Sequence, residues 1–326
     1  MRFNPLRRRE FITLLVGAAA AWPRQLAAQP AGRIYRIGVL FPFPASVLAA
    51  WFDELRRLGL VEGQNLAVDR RGFASSYEQF PTIAAELVKT GLDAMVCGGD
   101  VAIRAAQAAT ATIPIVAATD DMVGAGLAAS LAHPGGNTTG ISLLASELDG
   151  KRQDILFDLL PAARRMAILA DSQTIGGLQL QPIRDAARSR GVELSIHEVQ
   201  RSEEIASAVE AAKASGAAGL NVLASPLLHG HRQTILERTA RLRLPAIYQW
   251  PETVEEGGLL GYGPRWSEFM RLWARLAAKV LRGAKPADLP IEQPTRFELV
   301  INLQTAKAIG LEVPAGLVLR ADKVIE

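Results

Sequence analysis

The sequence predicts an α/β protein made of two units in series, each a mostly parallel sheet flanked by helices. Two observations predict this class. From Ile34 onward, short apolar stretches alternate with amphipathic stretches of helical spacing, which is typical of parallel strands buried under helices. The alternation restarts near residue 143 without a low-complexity linker, which indicates a second unit of comparable size.

The first 28 residues differ from the rest, and we interpret them as an export signal. Arginines at positions 7–9 precede an apolar run, Ile12–Trp22, and small residues follow as far as Ala28. This order is typical of a cleaved signal, and the arginines followed by x-Phe-Ile resemble a twin-arginine signal. The run is too short for a bilayer span, which needs about 20 apolar residues. We expect cleavage near Ala28 and a periplasmic protein, exported by the twin-arginine or the general secretory route.

Charge and cysteine content narrow the function classes. The chain has 36 basic and 33 acidic residues. Without residues 1–28, 31 basic and 32 acidic residues remain. A net charge near −1 gives no electrostatic footprint for nucleic acid, so no nucleic-acid partner is expected. Cys97 is the single cysteine and ends an apolar run. We predict that it is a small buried hydrophobic residue and not a nucleophile.

The first unit is predicted to contain five strands. The strands are expected at 33–41, 65–72, 93–99, 113–120 and 138–144, and helices at 44–60, 75–92 and 100–110, with a further short helix after 121.

The stretch HPGGNTTG, residues 133–140, could be a phosphate loop, a glycosylation site or a turn. An anion loop needs a strand before it and a helix after it, whereas this stretch precedes a strand. Asn137 fits the N-x-T acceptor pattern, but the signal is of bacterial type. Pro134 cannot continue a helix and Gly135-Gly136 can adopt positive φ, so we interpret the stretch as a structural turn.

The second unit is predicted from residue 143. Helices are expected at 146–161, 176–191, from Ser202, and at 229–243, and strands at 164–171, 192–199, 216–225, 244–250 and 257–263. A long helix with an apolar face of Phe269, Leu272, Trp273, Leu276 and Val280 follows, then a strand at 296–302, a helix at 303–310 and a tail. We expect the long helix and the C-terminal segment to return to the first unit. Lobe 1 would then be residues 33–142 plus about 266–326, and lobe 2 would be residues 143–265.

Motifs for cofactors, metals and catalysis are lacking in the sequence. The segment Gly124–Ala129 mimics a dinucleotide loop, but Asp120 and Asp121 precede it and would repel phosphate. No histidine has H-E-x-x-H spacing, Cys97 has no C-x-x-C partner, and G-x-S-x-G is missing. We therefore predict no cofactor, no metal site and no catalytic residue.

Candidate ligand-binding residues follow the ends of the predicted strands, where open α/β sheets bind their ligands. They are Phe41, Phe43, Gly98, Gly99, Asp100, Asp121, Ser172, Ser225, Tyr248, Glu252 and Tyr262.

The chemistry of these residues suits a small, partly charged organic molecule. Gly98-Gly99 would let backbone N–H groups approach a carboxylate. Asp121 and Glu252 could receive an ammonium group or hydroxyls, and the aromatic rings could cover an apolar body. Asp100 could equally be a helix cap, and Asp120 could be solvated.

Four blocks of sequence resemble a known family. They are IPIVAATDDMVGAGLAASLAHPGGNTTGIS, KRQDILFDLLPAARRMAIL, LPAIYQWPETVEEGGLLGYGP and RGAKPADLPIEQPTRFELVINLQTAKAIGLEVP. Together they resemble the ABC-transporter substrate-binding proteins of the tryptophan/tyrosine type, over about residues 33–326. The resemblance implies a type I-like periplasmic-binding-protein fold with a ligand cleft between two lobes. Asp121 matches the aspartate of the family's D-P-V step, although Met122 replaces the proline, and such departures in the cleft predict a changed ligand preference.

The function implied by the resemblance is a receptor for an ABC importer. The receptor would capture an amino-acid-like or aromatic acid solute by lobe closure and deliver it, as a monomer, to membrane permease subunits driven by their ATPase. An alternative is a periplasmic sensor that presents the solute to a signalling protein. A further alternative, an exported α/β enzyme, has no triad or metal set to support it.

Overall fold

Two β-sheets organise the chain in the computed structural model, which describes residues 33–174 and 180–326; the predicted export signal lies outside these ranges. The first sheet is parallel throughout, with strand order β2-β1-β3-β4-β5. Its strands are β1 (Tyr35–Phe41), β2 (Leu66–Phe73), β3 (Ala94–Gly98), β4 (Ile115–Thr119) and β5 (Thr138–Ser142).

The second sheet has the order β12-β11-β10-β9-β8-β6-β7. Its strands are β6 (Arg165–Asp171), β7 (Glu193–Val199), β8 (Leu220–Val222), β9 (Ala246–Tyr248), β10 (Leu260–Gly263), β11 (Glu298–Asn302) and β12 (Lys323–Ile325). All neighbours pair in parallel except β10 and β11. The predicted α/β class with two parallel-sheet layers is confirmed.

Helices cover the faces of these sheets. They are α1 (Ala49–Arg57), α2 (Phe80–Leu87), α3 (Asp100–Ala109), α4 (Ala145–Leu159), α5 (Gln181–Ser189), α6 (Ser202–Ala214), α7 (Pro226–Gly230), α8 (Arg232–Arg241), α9 (Pro251–Glu255), α10 (Trp266–Leu281), α11 (Leu303–Ile309) and α12 (Ala315–Val318). Within the described ranges, none of them has both the length and the apolar composition that crossing a bilayer requires.

The core of the first sheet follows the alternation of its strands. Ile37 and Val39 point to one face, where they pack with Trp51 of α1 and Trp273 of α10. Trp273 Nε1 also donates a 3.2 Å hydrogen bond to the Val116 carbonyl of β4. Because its apolar stripe is buried on this face, α10 is attached to the first sheet although it follows the second-sheet strands in sequence.

The C-terminal segment differs from the expectation that it returns to the first unit. Strand β11 pairs antiparallel with β10, with Tyr262 opposite Leu299, and β12 pairs in parallel with β11. Residues 298–325 therefore extend the second sheet. Val300 and Ile301 are fully buried there, and the edge of β10 supplies the backbone partners that such a buried strand needs.

Residues 121–137 form turns, and the short helix expected after Asp121 is wrong. Gly135 and Gly136 have φ angles of 76° and 60°, which only a glycine pair adopts readily. Asn137 Nδ2 donates hydrogen bonds to the carbonyls of Thr110 (3.1 Å) and Ile113 (2.7 Å). The stretch HPGGNTTG is thus a turn that leads into β5, and its asparagine side chain is used within the fold.

Candidate functional site

A small cavity of about 40 Å³ lies where the carboxyl ends of both sheets meet. A solute larger than a water molecule would therefore need the residues around it to move apart. It is lined from the first sheet by Phe41, Phe43, Gly98, Gly99, Ala118, Thr119, Asp120 and Leu143, and from the second by Thr174, Ser225, Pro226, His229, Gln249 and Trp250, with Trp266, Phe269 and Trp273 of α10.

Loops of the two sheets touch at this cavity. The rings of Phe43 and His229 meet edge to face with centroids 5.9 Å apart. A Cβ atom on Gly99 would lie 3.1 Å from Pro226 Cγ, so the bare glycine allows a close approach of the two loops. The cavity is therefore enclosed by residues from both sheets and not by one sheet alone.

Helix α10 supplies an aromatic wall. Trp266, Phe269 and Trp273 are spaced three and four residues apart, which puts their side chains on one helix face. The ring centroids of Phe269 lie 5.6 Å from Trp266 and 6.3 Å from Trp273. Trp250 extends the wall, with its ring 4.8 Å from Trp266. This surface suits the flat apolar body of a ligand.

A second aromatic surface comes from the loop after β1. Phe41 and Phe43 contact each other edge to face at 4.8 Å, and Phe41 reaches Trp273 at 6.0 Å. The two aromatic surfaces are therefore continuous around the cavity.

Asp120 brings a carboxylate to the cavity wall. Burial raises its pKa to about 8, and the negative charges of Asp100, Asp149 and Asp171 act in the same direction. Arg152 opposes them by favouring the charged form. In such surroundings the charged form of the carboxyl group is unfavourable, and a cation bound beside it would stabilise that form.

The neighbouring carboxylates of Asp100 and Asp171 already have hydrogen-bond donors. Thr119 Oγ1 donates to Asp100. Ser225 Oγ donates to Asp171 Oδ2 at 2.7 Å, and the backbone N–H of Gln173 donates to Oδ1 at 2.9 Å. Burial raises the pKa of both carboxyl groups, and these hydrogen bonds lower it in part. Both carboxylates therefore serve the structure around the cavity.

Two neutral polar side chains complete the lining. Gln249 is 6% exposed, and its Nε2 has no hydrogen-bond partner among the described residues. His229 Nδ1 likewise has none there. Burial, with the nearby charge of Arg232, lowers the His229 pKa to about 3, so the ring is neutral at physiological pH. Both side chains can form hydrogen bonds to a ligand without adding charge.

The structure brings five of the sequence-predicted residues to the cavity: Phe41, Phe43, Gly98, Gly99 and Ser225. Asp100 lies directly behind this wall, where it receives the Thr119 hydroxyl. Gly98 is packed tightly, since a Cβ there would lie 2.2 Å from the Phe41 ring.

Five other predicted residues do not line the cavity. The Asp121 carboxylate accepts a 2.8 Å hydrogen bond from Gly124 N in a turn, and Ser172 Oγ donates to the Val199 carbonyl. The Tyr248 hydroxyl pairs with Thr239 within the core. Tyr262 packs beside Phe297, and Glu252 is half-buried at the start of α9, where burial raises its pKa.

The comparisons with known proteins agree with a ligand-binding site. Residues 49–325 match the family described as ABC transporter substrate binding protein. The chain belongs to this family. A tyrosine-binding protein from Clostridioides difficile strain R20291 is 26% identical over 259 residues, which cover 78% of this chain and 73% of the relative.

Solved structures share the fold of this substrate-binding protein. A conserved domain protein from Vibrio cholerae aligns with a TM-score of 0.81 and 23% identity, covering 90% of this chain and all of the other. An ABC domain in complex with L-Trp from Streptococcus pneumoniae aligns with a TM-score of 0.76 and 24% identity, covering 89% of this chain and all of the other. The type I-like fold is thereby confirmed.

The cavity of this substrate-binding protein contains residues that sequence reasoning missed. They are Asp120, His229, Gln249, Trp250, Trp266, Phe269 and Trp273. The spacing of the aromatic residues on α10 was a signal, but it indicated only a buried face. Among the described residues, no group of three or more histidine, cysteine or acidic side chains is arranged to hold a metal ion.

Proposed function

We propose that the protein is the solute receptor of an ABC importer and binds a small aromatic solute that carries an ammonium group. The observation that carries this proposal is that Asp120 and aromatic rings contributed by both sheets line one cavity. The carboxylate would hold the ammonium group, and the rings of α10 and the β1 loop would enclose the aromatic body.

Ligand capture would proceed by closure of two lobes. In the proposal one lobe is the first sheet with α10, and the other is the second sheet. The contacts that closure would form are the ring contact of Phe43 with His229 and the approach of Gly99 to Pro226. A ligand touching both lobes favours the closed form by its differential affinity for it.

Two relatives support an amino-acid-like or aromatic ligand. One is named a tyrosine-binding protein, and the other is a domain in complex with L-Trp. The import role and the permease partner rest on the family description, and the periplasmic location rests on the signal-like residues 1–28.

Binding without chemical conversion is part of the same proposal. The Cys97 thiol is fully buried and burial raises its pKa, so it is unsuited to nucleophilic attack. The bound solute should accordingly be recovered unchanged after incubation with the protein.

A thermal-shift screen of the purified protein tests the proposal. The panel would contain amino acids, aromatic acids, aromatic amines, purines and sugars. A solute that binds only the native state should stabilise it by about 2.7 kcal/mol at 100 times Kd. Small-angle scattering with the best solute should show a smaller radius of gyration. The proposal is wrong if no member of the panel raises the melting temperature.

A further inference from the structure

We infer that the preferred ligand is an aromatic amine, a cation that carries no carboxylate. This inference rests on the proposed function and names its substrate class. It depends on three features of the cavity: a carboxyl group without a hydrogen-bond donor among the described residues, an aromatic enclosure, and a described lining without lysine or arginine.

Asp120 is available to a ligand cation. It lines the cavity. Burial and the charges of Asp100, Asp149, Asp171 and Arg152 shift its pKa, and no described residue donates a hydrogen bond to its carboxyl group. The carboxylates of Asp100 and Asp171, in contrast, have donors in Thr119 and Ser225. Without a bound cation Asp120 is protonated at neutral pH, and an ammonium group bound beside it favours the charged form, which can accept hydrogen bonds from that cation.

The aromatic enclosure reinforces the preference for a cation. The cavity is lined by Phe41, Phe43, Trp250, Trp266, Phe269 and Trp273. Aromatic faces attract cations through their quadrupole, and tryptophan does so most strongly. The faces of the same rings repel a carboxylate.

Among the described residues, a ligand carboxylate would find no lysine or arginine lining this cavity. The lining residues include no lysine or arginine, and the undescribed residues 175–179 after Thr174 are Ile-Gly-Gly-Leu-Gln. Three arginines exert charge on groups at the cavity, and each already has a partner. Arg152 pairs with Asp149, Arg104 donates to the Ala125 carbonyl, and Arg232 pairs with Glu256 at 2.7 and 2.9 Å.

The N-terminus of α3 does not provide a binding site for a ligand carboxylate in place of a lysine or arginine. A helix N-terminus can bind an anion, and Gly98-Gly99 leads into α3 at the cavity. The first residue of that helix, however, is Asp100, whose own carboxylate lies beside Thr119. A ligand carboxylate at this end would meet an acidic side chain.

Gln249 gives independent support for a ligand at this place. It is 6% exposed, lines the cavity, and has no partner for Nε2 among the described residues. The unpartnered atom is a donor, so this amide can hydrogen-bond to an acceptor on the ligand, such as a hydroxyl oxygen. A polar group buried to this degree is costly unless it is hydrogen-bonded, so we assign it to the ligand.

Isothermal titration with three matched probes tests the inference. Tryptamine, L-tryptophan and indole-3-propionate share an indole but carry an ammonium, both charges, or a carboxylate alone. Tryptamine should bind at least about tenfold more tightly than L-tryptophan, and indole-3-propionate should not bind measurably. Phenethylamine and L-phenylalanine should repeat this order.

The outcomes separate the inference from the proposed function. If L-tryptophan or the acid binds as tightly as tryptamine or more tightly, the amine inference is wrong and the receptor function stands. If neither these probes nor the wider solute panel binds, both are wrong.

Two neighbouring carboxylates offer a matched pair of variants. Asp120→Asn should weaken tryptamine binding by about tenfold or more and reduce its advantage over L-tryptophan. Asp121→Asn removes the adjacent carboxylate, which is used in a turn with Gly124 outside the cavity, and should bind tryptamine like the unchanged protein. Equal effects of the two substitutions would overturn the assignment of Asp120.

Discussion

Arg152 and Asp149 form an ion pair in which neither side chain has any exposed surface. The two residues lie one turn apart on α4. Arg152 Nη1 also donates a 3.0 Å hydrogen bond to the carbonyl of Tyr262 in β10. The pair therefore joins a helix to the second sheet and sets part of the electrostatic field at Asp120.

Removing the arginine should strongly destabilise the protein. Arg152→Met removes the cation that pairs with the buried Asp149, and breaking a buried pair in this way costs about 3–5 kcal/mol. Urea unfolding measures the change. Arg188→Met is the control, because the Arg188–Asp185 pair is exposed on α5 and should contribute at most about 1 kcal/mol. Similar losses in both variants would contradict the structural role of Arg152.

Stability should fall as pH rises because of Asp120. Its folded-state pKa is about 8, against 3.8 for an ordinary aspartate. Between these values the native state holds a proton that the unfolded chain has released, so the free energy of unfolding decreases with increasing pH. This contribution is complete below about pH 4, is lost progressively up to about pH 8, and does not change further above it.

Asp120→Asn removes this dependence and tests it directly. The variant should be increasingly more stable than the unchanged protein from about pH 5 to about pH 8, in urea unfolding followed at several pH values. The charged groups that face Asp120 are Asp100, Asp149, Asp171 and Arg152, and both proteins keep them. Parallel stability curves for the two proteins would show that Asp120 does not titrate in this range.

The strands and helices were predictable because their signals are local. Apolar strands such as β3 and β4 and the face of α10 are readable from spacing alone. The pairing of β11 with β10 was not predictable, since the sequence pattern of residues 296–302 indicates a buried strand but not which strand lies beside it. Strand β12 was not predicted, because its three residues are too few to show the alternation of apolar and polar residues that is typical of a strand.

The site was only partly predictable because several of its residues lie just beyond the ends of strands. The sequence predicts Asp121 as a ligand-binding residue, but Asp120 lines the cavity. Likewise Tyr248 enters the core while Gln249 and Trp250 face the cavity. Asp120, Gln249 and Trp250 follow the last residues of β4 and β9, where the regular alternation of a strand has ended, so their spacing does not reveal which side chains reach the cavity.

Trp266 combines a hydrogen bond with ring contacts, and two substitutions can separate them. Its Nε1 donates to the Val47 carbonyl at 3.2 Å, and its ring lies 4.5 Å from His229 and 4.8 Å from Trp250. Trp266→Phe should cost about 0.5–1.5 kcal/mol of stability in urea unfolding and retain ligand binding. Trp266→Ala should weaken binding of the best solute by about tenfold or more in calorimetry. Unchanged affinity in the alanine variant would remove this ring from the site.

Gly98→Ala should damage both stability and binding, because there is no room for a methyl group. Its Cβ would lie 2.2 Å from Phe41 Cδ2, so the Phe41 ring would have to move within the cavity wall. Such overpacking costs about 1–3 kcal/mol, and calorimetry should show weaker ligand binding. Gly150→Ala is the matched control, since its nearest contact is an ordinary 3.5 Å to Pro182 Cβ and it lies inside α4. The Gly150→Ala change should stabilise the helix by about 0.5–1 kcal/mol and leave ligand affinity unchanged. If Gly98→Ala behaves in the same way, Phe41 does not shape the cavity.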